Sequence, residues 1–151
     1  MSVEELNARD RAAVASLWTE VGLTRPWNSP LEDFDRALNG ATSTVLGLRN
    51  DDELIGTVMV GHDGHRGWVY YLAVVPTHQG QGLGKELMKD AEDWLRGRGV
   101  VKVQLMVRHS NEAVAGFYQR LGYNDDEVRV LSRWLIDNGR QEVSFNGDQF
   151  P

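Results

Sequence analysis

Three glycines alternate through Gln79-Gly80-Gln81-Gly82-Leu83-Gly84. Glycine lets backbone N–H groups approach a ligand closely, and a helix N-terminus carries partial positive charge. Set where a strand passes into a helix, such a stretch suits a phosphate or pyrophosphate. A plain βα turn also favours glycine, but three in alternation exceed what a turn needs. Lys85 follows, either reaching a phosphate as a point charge or standing solvated on its helix. The chain has no cysteine, which removes disulfides, Cys-ligated metals and a thiol nucleophile. His62 and His65 are spaced as metal ligands can be, yet they sit in a polar turn and read as surface loop. No metal is expected.

The elements that would hold this loop can be read on both sides of it. Trp68-Val69-Tyr70-Tyr71-Leu72-Ala73-Val74-Val75 is an aromatic and β-branched run, closed by Pro76, which cannot donate to a ladder. From about Gly82 onward, Leu83, Leu87, Met88, Ala91, Trp94 and Leu95 recur at helical spacing. Upstream, a short strand near residues 2–6 precedes a helix ended by Gly22 and a second helix opened by Ser29-Pro30-Leu31-Glu32 and closed by Gly40. Residues 43–49 and 54–61 read as an antiparallel hairpin leading into the Trp68 strand. Downstream, residues 100–107 read as a strand that a helical crossover sets parallel to it.

Ser110 or Asn111 can cap a helix through Leu121, and residues 128–136 alternate as a last strand. The polar tail from about residue 138 is expected to be loosely ordered, with Val143 and Phe145 able to add a short edge strand. The fold class is therefore mixed α/β (α+β): one domain over residues 1–151, with a mostly antiparallel sheet of about six to seven strands and about four helices.

Bulk properties narrow the partners. A chain of 151 residues is long enough to bury roughly two thirds of the surface its unfolded form exposes. The formal charge of −6 disfavours nucleic acid, which needs a basic surface, and is compatible with a cationic amine. Met1-Ser2-Val3-Glu4-Glu5 is acidic where a signal peptide would be basic, and no run approaches membrane-spanning length, so a cytoplasmic location is expected.

Exact spacing separates the familiar glycine motifs. A dinucleotide fingerprint started at Gly80 needs glycine where Lys85 stands. A P-loop needs glycine at Gln79 and a hydroxyl at Glu86. What remains is Q-x-x-G-x-G between a strand and an amphipathic helix. With it come Arg108-His109-Ser110-Asn111 and Phe117-Tyr118-Gln119-Arg120-Leu121-Gly122-Tyr123. On these three segments and the element order, the chain resembles the GNAT superfamily of acetyl-CoA-dependent N-acetyltransferases. It looks most like the small single-domain bacterial members, such as the YpeA-like acetyltransferases.

The resemblance implies roles residue by residue. The amides of Gln79, Gly80, Gln81, Gly82, Leu83 and Gly84, with Lys85, would hold the CoA pyrophosphate. Leu72, Ala73 and Val74 would lie on the family's bulged central strand and pair with the pantetheine arm. An amide there, assigned to Val74, would polarise the thioester carbonyl. Asn111 would contact the pantetheine arm, and it is also a good N-cap. Tyr118 matches the tyrosine that protonates the departing thiolate, a transfer a phenol can make. It also lies on an apolar helical face, so a core aromatic is the other reading.

The acceptor is less legible. Leu105-Met106-Val107-Arg108 stands where members that acetylate ribosomal protein ends show L-E-V-R. Met106 takes no proton, so a water chain or another acid, such as Glu53, Asp63 or Glu112, must serve as base. Trp27 and Asn28 fall where the family places its variable acceptor wall. Tyr70 and Tyr71 are further candidates, and strand alternation puts them on opposite faces. The expected function is acetyl transfer from acetyl-CoA to a primary amine on a small molecule, peptide or protein, without a metal. A non-catalytic acyl-CoA-sensing domain is the alternative, and a homodimer is the assembly to test.

Overall fold

Runs of β-branched and apolar residues form the strands, and their connections set the directions. The computed structural model describes residues 1–137. Its strands are β1 (Ser2–Glu5), β2 (Ser43–Asn50), β3 (Glu53–His62), β4 (Gly67–Val74) and β5 (Val103–Gln104), lying side by side in that order. Tight turns join β2, β3 and β4, which run antiparallel, and β1 is antiparallel to β2. β5 arrives by a helical crossover and lies parallel to β4.

Four α-helices are described: α1 (Arg11–Glu20), α2 (Pro30–Asn39), α3 (Leu83–Arg96) and α4 (Glu112–Arg120). α2 begins as its sequence demands, with Pro30 in the first turn and the Ser29 hydroxyl accepting the Glu32 N–H at 3.3 Å. Ahead of α1, Asn7 and Asp10 cap a 3₁₀ turn (Ala8–Asp10) reciprocally.

Adjacent residues of β3 show how the layers are arranged, because neighbouring side chains point to opposite faces. Thr57 accepts a hydrogen bond from Trp18 Nε1 of α1 at 2.9 Å. A Cβ on Gly56 would stand 2.9 Å from Leu87 of α3, so glycine permits that helix its approach. α1 and α2, joined through the Trp18–Phe34 ring contact, therefore cover one face and α3 the other. Trp18, Phe34, Leu48, Ile55, Leu87 and Met88 are fully buried between them.

Two expectations about the sheet are corrected. The strand expected over residues 100–107 is reduced to Val103–Gln104, which pair with Gly67 and Trp68. Past that point β4 and β5 part and a wedge opens beside the second half of β4. The sheet thus has five strands among the described residues, not six to seven.

Residues 128–136 form no strand. The chain returns to β5 through side chains instead: Lys102 Nζ and Gln104 Nε2 reach Asp126 Oδ2 at 2.9 and 3.4 Å. Glu127 is left-handed, with φ 53°, which interrupts an extended run before a ladder can form. Val128, Val130, Leu131, Leu135 and Ile136 are left exposed. Val143, Phe145 and the polar tail lie outside the described residues.

Candidate active site

β4 ends at Val74, and a 3₁₀ turn (Pro76–His78) carries the chain to the glycine loop. Gly80 and Gly82 have φ of 79° and 80°, a region that side-chain-bearing residues occupy only with strain. The Gln79 side chain donates to Val74 O at 2.9 Å and ties the loop to the strand end. Among the described residues, the N–H groups of residues 80–85 meet no protein acceptor; the first helical bond runs from Glu86 N–H to Gly82 O at 3.1 Å. A run of free donors at a helix head, aided by the helix dipole, is suited to phosphate oxygens.

Beside the loop, β4 carries a bulge. Thr57 pairs with Ala73 but Met59 pairs with Tyr70, so Val58 faces two residues, Tyr71 and Leu72. Tyr71 is left-handed at φ 53°, a conformation costing roughly 1–3 kcal/mol in an ordinary residue. The extra residue reverses which backbone groups face the wedge. Before it, Gly67 N–H donates across to Lys102 O at 2.9 Å. After it, Val75 N–H donates the other way, to Ile55 O of β3 at 2.9 Å. Alternation then turns the N–H and C=O groups of Leu72 and Val74 toward the wedge.

The bulge also corrects the expected alternation of the two tyrosines. Tyr70 lies opposite Met59, which shares a face with Thr57. Tyr71 stacks on Trp18 with ring centroids 3.8 Å apart, so both tyrosines lie on the face covered by α1 and α2. Tyr70 remains 42% exposed, and its hydroxyl pKa is raised by burial and by the nearby Asp63. The Tyr71 hydroxyl donates to Asp33 Oδ2 at 2.7 Å, and burial followed by that carboxylate holds its pKa well above the usual range.

α4 closes the other side of the loop. Asn111 Oδ1 accepts the Val114 N–H at 3.2 Å, which leaves its amide donor for another partner. Tyr118 is 9% exposed and makes edge contacts with Phe117 and Tyr123 at 5.0 and 5.6 Å. Its hydroxyl has no hydrogen-bond partner among the described residues, and burial pushes its pKa up to about 12. The Tyr123 hydroxyl donates to Glu92 Oε2 at 2.7 Å, joining the end of α4 to α3.

The remaining candidates are spread more widely. Trp27 and Asn28 are half-buried in the connection between α1 and α2, where Asn28 N–H donates to Arg25 O at 3.0 Å. Asp63 accepts the Arg66 and His65 N–H groups at 2.7 and 2.9 Å; these bonds hold its carboxyl below the usual range and commit it to a turn. His62 Nδ1 accepts the Gly64 N–H in the same turn, at 3.3 Å. Glu53 pairs with Asn50 at the β2–β3 turn, and Glu112 begins α4. Thr57 and Asp33, which bond Tyr71, were not singled out from the sequence. The available signal was Thr57 itself, polar within Leu54-Ile55-Gly56-Thr57-Val58-Met59-Val60.

The model of the acetyltransferase (GNAT) family matches residues 11–123. The chain belongs to this GNAT acetyltransferase family. The match takes in the glycine loop, the bulged strand, Asn111 and Tyr118, and it ends at Tyr123. Among solved structures, the chain is similar to the ribosomal-protein-S18-alanine N-acetyltransferase from Escherichia coli, with TM-score 0.72, 25% identity, and 82% of this chain and 77% of that one covered. It is also similar in fold to the aminoglycoside 6'-N-acetyltransferase AAC(6')-IG from Acinetobacter haemolyticus, with TM-score 0.75, 16% identity, and 91% and 100% covered. The same holds for AAC(6')-Iy in complex with a CoA-containing bisubstrate analog, with TM-score 0.76, 15% identity, and 89% and 98% covered. The GNAT fold thus spans this chain from α1 through α4.

Proposed function

We propose that this chain moves an acetyl group from acetyl-CoA directly to a primary amine. The observation that carries the reading is the run of free N–H groups over residues 80–85 at the head of α3, beside the open wedge of β4. In this reading Gln79, Gly80, Gln81, Gly82, Leu83 and Gly84 hold the pyrophosphate, with Lys85 as an added charge. The pantetheine arm lies along Leu72, Ala73 and Val74 and meets the Asn111 amide. The amine nitrogen attacks the thioester carbon, and the Val74 N–H donates to the developing oxyanion. As the new C–N bond forms and the C–S bond breaks, the amine gives up a proton and Tyr118 donates one to the leaving thiolate. Burial keeps the Tyr118 phenol protonated at neutral pH, as a donor must be.

The acceptor enters from the α1–α2 side, past Trp27, Asn28 and Tyr70. Tyr71 is committed to Asp33, which favours Tyr70 as the contact of the pair. A small-molecule amine and a peptide or protein amine both fit an open wedge, and the neighbours include enzymes named for each. No described helix is long and apolar enough to cross a membrane, which supports action in the cytoplasm. The chain further acts as a homodimer in this reading. The exposed apolar run over residues 128–136 and the outer edge of β5, which has no strand partner among the described residues, need cover that a second copy can give.

The test is release of free CoA thiol from acetyl-CoA across a panel of small amines, amino acids and peptides. Amine-dependent release is expected. Tight CoA binding with no release for any amine would instead favour an acyl-CoA sensor.

A further inference from the structure

We propose that Trp18, Thr57, Tyr71 and Asp33 form a clamp that fixes the β4 bulge and so aims the Leu72 and Val74 backbone groups into the wedge. The inference rests on the acetyl-transfer reading for its consequence, but its geometry stands apart from it. Tyr71 is held at three points by three elements. From β3, Thr57 Oγ1 donates to the Tyr71 carbonyl at 3.2 Å. From α1, the Trp18 ring lies flat on the Tyr71 ring, with centroids 3.8 Å apart and planes 8° from parallel. From α2, Asp33 Oδ2 accepts the Tyr71 hydroxyl at 2.7 Å, and Arg36 in turn pairs with Asp33.

Thr57 is the centre of the clamp. Its hydroxyl accepts from Trp18 Nε1 at 2.9 Å while donating to Tyr71, so both of its functions are used. Thr57 and Trp18 are both 0% exposed, so no water can replace a lost partner without rearrangement.

The clamp matters because Tyr71 is left-handed. An aromatic residue keeps that conformation only where its surroundings over-determine it. Released, β4 would regain regular alternation, and the N–H groups of Tyr71 and Ala73 would face the wedge in place of those of Leu72 and Val74. A donor aimed wrongly at an oxyanion loses most of its value. None of the four side chains needs to touch the acetyl group, so these are positioning residues.

Thr57→Val keeps shape but breaks both hydrogen bonds, while Thr57→Ser keeps both. In Thr57→Val, turnover should fall at least ~10-fold, with CoA affinity by calorimetry within ~2-fold of wild type, since only donor aim is lost. Thr57→Ser should restore turnover to within ~3-fold of wild type. Amide ¹⁵N shifts of Leu72 and Val74 should move in Thr57→Val and return in Thr57→Ser. Turnover within ~3-fold of wild type in Thr57→Val, or a serine variant as impaired as the valine one, would overturn the clamp. If the valine variant does not fold, Tyr71→Phe, which loses only the Asp33 bond, decides by the same turnover and shift measurements. Should wild type release no thiol with any amine, the transfer reading fails; unmoved Leu72 and Val74 shifts then overturn the clamp separately, and moved ones uphold it.

Discussion

The Phe117 ring of α4 stands against Gly84 of the glycine loop, its Cζ 3.2 Å from where a Cβ would be. The loop and the helix bearing Tyr118 are therefore fitted to each other, and the absence of a side chain at residue 84 is part of that fit. Gly84→Ala needs the ring to give by only a few tenths of an ångström, which an edge-on aromatic can do. Gly84→Val adds two more carbons, an overpacking that costs roughly 1–3 kcal/mol. We expect Gly84→Ala to bind CoA within ~3-fold of wild type and Gly84→Val to bind it ~10-fold or more weakly, about 1.4 kcal/mol. Calorimetric titration with CoA checks both, and equal affinities would show that the Phe117 contact does not shape the loop.

Tyr118 is the buried phenol without a described partner, and removing its hydroxyl isolates a proton-transfer role. General acid catalysis contributes about 10²–10⁴-fold, so Tyr118→Phe should lower turnover at least ~10-fold. CoA affinity should be nearly unchanged, because the ring and its contacts with Phe117 and Tyr123 remain. Steady-state rates with calorimetry separate the two quantities. Unaltered turnover would make Tyr118 a core aromatic.

The loop was legible because its chemistry is local: alternating glycines, the strand before and the helix after all lie within one continuous stretch. The Trp18–Thr57–Tyr71 group was not, because it joins residues 39 and 14 positions apart through packing that no periodicity encodes. Trp18 read correctly as core, yet nothing in the sequence links it to Tyr71. Strand alternation misled twice. In β4 it assumed a regular pleat and so separated Tyr70 from Tyr71, which the bulge brings to one face. Over residues 128–136 it identified a sequence that fits a strand, but pairing also requires an edge in reach, and Glu127 turns the chain before one is met.

Alkaline conditions should expose the buried phenols. The folded pKa of Tyr118 is raised by burial from 10.0 to about 12, and those of Tyr71 and Tyr123 are raised too. A raised folded pKa leaves stability intact below the unfolded value near ~10 and removes it as pH climbs through the folded value. For Tyr118 the loss builds between pH 10 and about 12, and a shift of this size corresponds to about 3 kcal/mol. Lysine ion pairs such as Lys102–Asp126 weaken over the same range, so the comparison must be with Tyr118→Phe. Urea midpoints at pH 9, 10, 11 and 12 should fall more steeply for wild type than for the variant. Parallel slopes would mean that ionisation of Tyr118 does not drive the loss.

The exposed run after Glu127 makes the assembly testable without touching the site. Drawn out as a strand, Val128, Val130, Trp134 and Ile136 share one face, while Leu131 and Leu135 share the other with Arg129 and Arg133. Leu131 and Leu135 are 86% and 91% exposed in the single chain, so charging them is nearly free if that chain stands alone. If instead the run lies along the β5 edge of a second copy, nine residues per strand give about 30 Å of pairing, and the charges must be buried or the pairing lost. We therefore expect wild type to elute at dimer mass by light scattering, and Leu131→Glu combined with Leu135→Glu to elute as monomer. CoA affinity should persist in the monomer, because residues 80–85 and the β4 wedge belong to one chain. A wild-type monomer at concentrations near those of the assay would remove the dimer, and a charged variant that stays dimeric would move the interface away from residues 128–136.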